Sequence, residues 1–228
     1  MPKTFYSRNL PHYQPPHATY FVTARLDGSL PKEAIERLQQ ERDEAERFFS
    51  GAIDGTARRE KISEIRDQYF HKFEDLLNGA STGPRWLGEM PVASIVKEAM
   101  HYRDGNAYDL FAYTIMPNHI HIVFSLERFG ESLYEPVERL AESFRGGART
   151  GYAVTDLIGS LKKHTALEAN KILHRAGAFW QHESYDHVVR TGEELERTIW
   201  YVLNNPVKAN LVDSWEEWPW TYCKPGFL

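Results

Sequence analysis

The segment AYTIMPNHIHIVF, residues 112–124, places His119 and His121 two residues apart in a run with the apolar content of a strand. Alternate side chains of a strand share a face, so both imidazoles point the same way. Ile120, Ile122 and Phe124 then point to the opposite side, toward a core. Neutral imidazole is the commonest protein ligand for metals, and two on one strand face are the beginning of a metal site. They are also compatible with an ordinary pair of surface histidines. The second place with chemical content is YVLNNP, residues 201–206, where Tyr201 and Asn205 stand four apart in a helical context. That spacing puts them one turn apart on one face. A phenol beside a carboxamide there fits packing or a helix cap as well as a reactive site.

The surrounding chain must hold these groups, and its composition bounds how. It has 228 residues, 42% hydrophobic and 13% aromatic, enough for one globular domain with a sizeable core. No apolar run approaches the roughly 18 residues of a membrane helix. The N-terminal residues show neither an apolar signal core nor a small-residue cleavage site, so a cytoplasmic protein is expected. A single cysteine, Cys223, excludes an internal disulfide framework and a multi-cysteine zinc site. The net charge of −5 and a pI near 6.1 argue mildly against a nucleic-acid partner. The charge is uneven, however. ERDEAER is acidic, whereas SFRGGART and GSLKKHTALEANKILHR are basic or neutral, so a basic face on an acidic protein is compatible with the numbers.

HATYFVTARLDG alternates and is rich in aromatic and β-branched residues, which predicts a strand ending at the Asp27-Gly28 turn. Two charged helical segments follow, one opened by Pro31 and one stopped by Asn78-Gly79, and together they read as a helical insertion at about 31–80. PVASIVKEAMHYRDG predicts an amphipathic helix. YDLFAYTIM and HIHIVFSL predict two strands joined by the tight Pro117-Asn118 turn. Residues 127–153 look loop-rich. TDLIGSLKKHTALEANKILHRAG predicts a helix closed by Gly177. FWQHESYDHVVR predicts a strand, and Thr191 to Glu194 form a capping box opening a helix that Pro206 ends. The order strand, helix, strand, strand, helix, strand, helix implies an α+β fold of ferredoxin-like type, an antiparallel sheet with helices packed on one face.

Five ordered blocks carry a resemblance: MPNHIHIVF, GSLKKHTALEANKI, GAFWQHESYDHVVR, YVLNNPVKANLV and WEEWPWTY, with GPRWL before the third helix. In order and spacing they resemble the REP-associated tyrosine transposases, single-tyrosine members of the HUH (histidine, hydrophobic, histidine) nucleases. The resemblance covers the first predicted strand and most of residues 84–222. It implies one HUH domain over residues 1–228, interrupted by the insertion. It implies that His119 and His121 bind a divalent cation, Mg2+ or Mn2+, and that Tyr201 is the nucleophile. In relatives a polar side chain one turn after the tyrosine completes the metal site; here that position is Asn205, where some relatives carry the longer Gln.

The implied partner is single-stranded or hairpin DNA, with no membrane, and the oligomeric state is monomer or homodimer. Lys162, Lys163, His164 and Thr165 look suited to DNA phosphates, as do Arg145, Arg149 and Arg190. His187 is a candidate general base for the phenol or a plain strand histidine. Trp215, Trp218 and Trp220 are suited to stacking on bases or to pinning the C-terminal tail. Three other readings stand beside this one. A histidine-triad nucleotide hydrolase would need a third alternating histidine, and Val123 breaks that series. A non-catalytic hairpin-binding protein would keep the fold alone, and a water-using nuclease would leave Tyr201 structural.

Overall fold

The computed structural model describes residues 3–7, 11–52, 55–129 and 150–227. Two compact units divide the chain: one runs to Asp27 and resumes at Arg85, and the other is Gly28–Pro84. The first unit is built on a five-stranded sheet in the spatial order β6-β3-β5-β4-β7, with every neighbouring pair antiparallel. Its strands are β3 (Thr19–Arg25), β4 (Asp109–Ile115), β5 (His119–Ser125), β6 (Tyr185–Val189) and β7 (Thr221–Cys223). Helix α3 (Met90–Arg103) joins β3 to β4 in chain order, and helix α4 (Ala153–Ile172) lies between β5 and β6. This is the ferredoxin-like arrangement the sequence implies, with β5 at the centre and β7 added at the edge.

The apolar core lies on one face of the sheet. Tyr20, Val22 and Ala24 of β3 and Ile120, Ile122 and Phe124 of β5 pack there, with Val92, Val96 and Met100 of α3 and Val154, Leu157 and Leu161 of α4. Cross-strand partners share a face, so the ladder Thr23–His121–Thr114 and the pair Arg25–His119 belong to the opposite face. The helix α5 (Gly192–Leu203) and a further turn, α6 (Asn205–Lys208), follow β6. Helix α5 packs along β4, β5 and β7, and its Tyr201 ring lies against His121 of the non-core face.

The turn between β4 and β5 aims the histidines. Met116 N–H bonds to His119 O at 2.8 Å, closing a two-residue loop of Pro117 and Asn118. Neither residue has positive φ, so this is not one of the primed turns that usually join two strands. Two outside bonds hold it instead: Leu87 N–H to Pro117 O at 3.1 Å and Leu26 N–H to Asn118 O at 2.9 Å.

The sequence reading and the structure part company at several points. Helix α4 ends at Ile172, and the chain turns at His174, which takes a φ of 49°, before reaching Gly177. The capping box is half formed: Thr191 Oγ accepts from Glu194 N–H at 3.1 Å, but the Glu194 carboxylate accepts from Arg190 N–H at 2.7 Å. The N-terminal residues form a hairpin that the sequence did not announce, β1 (Phe5–Ser7) with β2 (Pro11–Tyr13).

In the second unit, α1 (Lys32–Ala52) and α2 (Gly55–Gly79) run against each other. Arg66 reaches Glu46 at 2.9 Å, Lys72 reaches Glu41 at 3.0 Å, and the Arg42 guanidinium lies 4.9 Å from the Tyr69 ring centre. The first two are exposed ion pairs, a kind that adds little to stability. At the unit's ends, Gly83 has a φ of +90°, and a Cβ there would meet Gly28 O at 2.6 Å, so only glycine lets the two ends approach. Among the described residues no helix is long and apolar enough to cross a membrane.

The N-terminal hairpin is clasped to the sheet by His12. Its Nδ1 bonds Asp186, its Nε2 lies 3.1 Å from Glu183, and Tyr6 stacks on its ring at 4.3 Å. Next to it Gln14 Oε1 accepts from Thr155 N–H at 3.2 Å, satisfying an orphan donor in the first turn of α4. Burial works against a charged His12, but the hydrogen bonds and charges of Asp186 and Glu183 outweigh it and push its pKa up to about 9. The folded value is above the ordinary one, so the clasp's stabilisation is full below about pH 6.5 and falls as pH rises toward 9. Chemical denaturation of the wild type and His12→Gln should therefore show a stability difference that shrinks between pH 6.5 and 9 and disappears above it. A difference independent of pH would remove the charge from the account.

Candidate functional site

On β5 the alternation that sends Ile120 and Ile122 to the core brings His119 and His121 to the other face, and both are fully buried. Their Nε2 atoms face one another at 3.1 Å, with ring centres 4.6 Å apart at 71°. Each Nδ1 is engaged by the protein. His119 Nδ1 is 2.7 Å from Asn118 Oδ1, and His121 Nδ1 is 2.9 Å from Thr23 Oγ1. A carboxamide oxygen only accepts, so His119 Nδ1 carries the hydrogen and its Nε2 presents a lone pair.

Helix α5 delivers Tyr201 to the same place. Its ring centre is 5.6 Å from that of His121 and 5.9 Å, edge-on at 86°, from that of Phe21. Phe21 is itself stacked 5.4 Å from His121 and meets Tyr185 at 6.2 Å. Phe21 is therefore the aromatic floor on which imidazole and phenol both rest. Ile199, Val202 and Leu203 of α5 are buried, which fixes the helix's rotation. The C-terminal tail braces it: Trp218 Nε1–H donates to Ile115 O at 3.0 Å, Ile115 N–H donates to Trp220 O at 3.0 Å, and β7 pairs with β4. Those two tryptophans thus pin the tail.

Asn205 stands at the first position of α6, after a break at Asn204 where ψ is 1°. Pro206 has no N–H to continue the α5 ladder, which accounts for the break. The Asn205 side chain is 1% exposed, and neither its Oδ1 nor its Nδ2 has a hydrogen-bond partner among the described residues. A buried amide without partners costs about 1–3 kcal/mol, and such groups call for an explanation.

These observations allow a test of whether the residues fit a divalent cation. For bonds of about 2.1 Å, two nitrogens 3.1 Å apart subtend roughly 95° at a shared ion, close to the right angle between neighbouring octahedral ligands. Two neutral imidazoles and a carboxamide oxygen suit Mn2+ and are acceptable to Mg2+. The orphaned Asn205 amide is the kind of group such a site would use.

The other sequence candidates are dispersed. Lys162 Nζ donates to the carbonyls of Gln181 and His182, at 2.8 Å for the latter, and to Ser184 Oγ at 3.1 Å. Burial and the nearby Arg25 charge depress its pKa to about 8, against the pull of Glu183. Thr165 is fully buried, donating to Leu161 O at 2.9 Å and accepting from Trp180 Nε1–H at 2.9 Å. Lys163 and Arg190 are exposed, and His164 is half-buried on α4. Arg145 and Arg149 lie outside the described residues. His187 Nε2 is 2.7 Å from Glu194 Oε1. Burial raises the Glu194 pKa, but the His187 and Arg190 hydrogen bonds bring it below the usual carboxylate range. Sequence reasoning missed Phe21 and Thr23, although the alternation of TYFVTAR put both on one face; Asn118 was visible only as a turn residue.

No family model matches the chain. It is similar to a curated protein of Haemophilus influenzae named "Putative REP-associated tyrosine transposase", 24% identical over 115 residues, or 50% of this chain and 58% of that one. The chain thus matches little more than half the length of this relative. Among solved structures it is similar to a REP-associated tyrosine transposase bound to a REP hairpin, with 12% identity and a TM-score of 0.47 over 95% of this chain and 80% of that one. The resemblance to that family, first carried by the motifs, is met by a curated protein of the same name.

Replacing Asn205 by Leu separates its stability from its use. The substitution keeps the volume and removes two buried unsatisfied groups, so the metal-free protein should gain about 1 kcal/mol in urea denaturation. The same variant should show a smaller rise in melting temperature on adding Mn2+ than the wild type. Lower stability without metal would mean that the amide has a partner after all.

Proposed function

We propose that the protein is a metal-dependent endonuclease and strand transferase for single-stranded DNA, cutting beside a hairpin through a 5′-phosphotyrosine link. The observation that carries this reading is the convergence of Tyr201 with the paired Nε2 atoms of His119 and His121 on a face of the sheet away from the core. The similarity to a curated protein named as a REP-associated tyrosine transposase supports the choice of DNA as substrate, and the hairpin is the substrate that the resemblance of the motifs implies. A DNA substrate of this kind puts the protein's work in the cytoplasm.

His119 and His121 would hold the cation through Nε2, with Asn205 as the third protein ligand. When bound, Mg2+ or Mn2+ polarises the scissile phosphoryl group and aids departure of the 3′ oxygen. Tyr201 Oη attacks phosphorus, the bond from phosphorus to the 3′ oxygen breaks, the phenolic proton passes to solvent, and the leaving oxygen takes up a proton as a free 3′ hydroxyl. The phosphotyrosine conserves the bond for rejoining to another 3′ hydroxyl. The packed side of α5 and the Phe21 ring restrict the phenol to one approach, which is the orientational part of catalysis. Lys163, Arg190, Arg145 and Arg149 are the proposed phosphate contacts. For Lys162 and Thr165 the proposed contribution is indirect, since their polar atoms are bonded within the protein.

The test mixes the protein with labelled hairpin DNA from its own genomic neighbourhood and Mn2+, read on denaturing gels. The wild type should form a covalent adduct, Tyr201→Phe none, and His119→Ala should lose about 100-fold or more in cleavage. Cleavage without an adduct would favour a water-using nuclease, and binding without cleavage a hairpin-binding protein.

A further inference from the structure

We infer that Asn118 and Thr23 are positioning residues that set which nitrogen each histidine offers to the cation; this rests on the metal centre proposed above. An imidazole that binds metal through Nε2 carries its hydrogen on Nδ1, and that hydrogen needs an acceptor if the ring is buried. His119 and His121 are both fully buried, so solvent does not supply one. The chain supplies one to each. Asn118 Oδ1 takes the His119 hydrogen at 2.7 Å, and Thr23 Oγ1 stands 2.9 Å from His121 Nδ1.

The two partners come from different elements, and each is itself fixed. Asn118 is the second residue of the turn that begins β5; it is 4% exposed, and its carbonyl is tied to Leu26 N–H at 2.9 Å. The carboxamide is therefore anchored through its own backbone before it meets the ring. Thr23 sits directly across the ladder from His121 on β3 and is 3% exposed. β-Branching limits its χ1, so the hydroxyl is aimed by the strand rather than by search. With both Nδ1 atoms held, neither ring can flip to exchange its nitrogens without breaking a buried hydrogen bond. The 3.1 Å approach of the two Nε2 atoms is the consequence. Thr23 and the turn residue Asn118 thus act on the cation through the histidines.

Isothermal titration of the full-length metal-free protein with Mn2+ tests this directly, with thermal melts confirming that each variant is folded. Thr23→Val removes the hydroxyl while keeping a strand-forming, β-branched side chain, and should weaken Mn2+ binding about 10- to 100-fold. Thr23→Ser restores the hydroxyl and should return affinity to near wild type. Asn118→Leu should weaken binding by a similar factor, whereas Asn118→Asp keeps an acceptor and should bind at least as tightly as wild type. If Thr23→Ser is as weak as Thr23→Val, or Asn118→Asp as weak as Asn118→Leu, the side chains act by packing and the inference fails. Wild-type affinity in Thr23→Val and Asn118→Leu would overturn it as well. A wild type that binds no Mn2+ would instead bring down the metal centre itself.

Discussion

The register of β5 between its two neighbours is the constraint on which the rest depends. Because side chains alternate, a slip of one residue would drive His119 and His121 into hydrocarbon and lift Ile120 and Ile122 out of it. Both outcomes are expensive: the isoleucines would leave their apolar packing for a face built of polar partners, and the imidazoles would lose every polar partner. Pairing to β3 over seven residues and to β4 on the other side leaves no free edge along which to slip. The same pairing brings Thr23 opposite His121. The site is thus specified by the hydrophobic pattern of the opposite face.

Burying two imidazoles would destabilise the sheet if their nitrogens were left unmatched, and the fold meets that requirement locally at the Nδ1 atoms. Asn118 and Thr23 take one nitrogen each, while the other two face one another. The Asn205 amide stands apart because nothing among the described residues satisfies it. An apolar side chain of the same size would serve folding better there. The contrast between the anchored Nδ1 atoms and an unsatisfied amide a few residues beyond Tyr201 separates what the fold needs from what a ligand would need.

Much of this was legible in the sequence because it is local. The alternation in HIHIVF, the Pro117-Asn118 turn, and the helix before YVLNNP are all written within a few residues of one another. What was illegible is non-local. His12 meets Glu183 and Asp186 across 171 and 174 residues of chain, and no window containing His12 hints at either carboxylate. The three-residue strand β7 carries too little pattern to announce itself and exists because β4 offers it an edge. Lys162 and Thr165 show the limit from the other direction. Both looked like surface groups because their helix carries a polar run, yet the loop 181–184 and Trp180 fold over them and occupy their polar atoms. Composition reports what a side chain can do, and topology decides what it meets.

Placing the tyrosine on a helix rather than on the sheet follows from the same geometry. The non-core face of β5 is occupied by imidazoles at alternate positions, so a strand phenol would have to come from a neighbour: Tyr185, across from Thr23, is such a residue. Its ring meets that of Phe21 edge-on at 6.2 Å. A helix lying over β4, β5 and β7 can instead lower a side chain from above, and its own buried residues fix the angle of descent. The break at Asn204 then lets the chain leave the sheet immediately after Tyr201, and the tail returns through Trp218 and Trp220 to brace β4 from its far edge. A rigid sheet holds the imidazoles, and a braced helix holds the phenol. The distance between them is therefore set by packing that neither the histidines nor the phenol has to maintain.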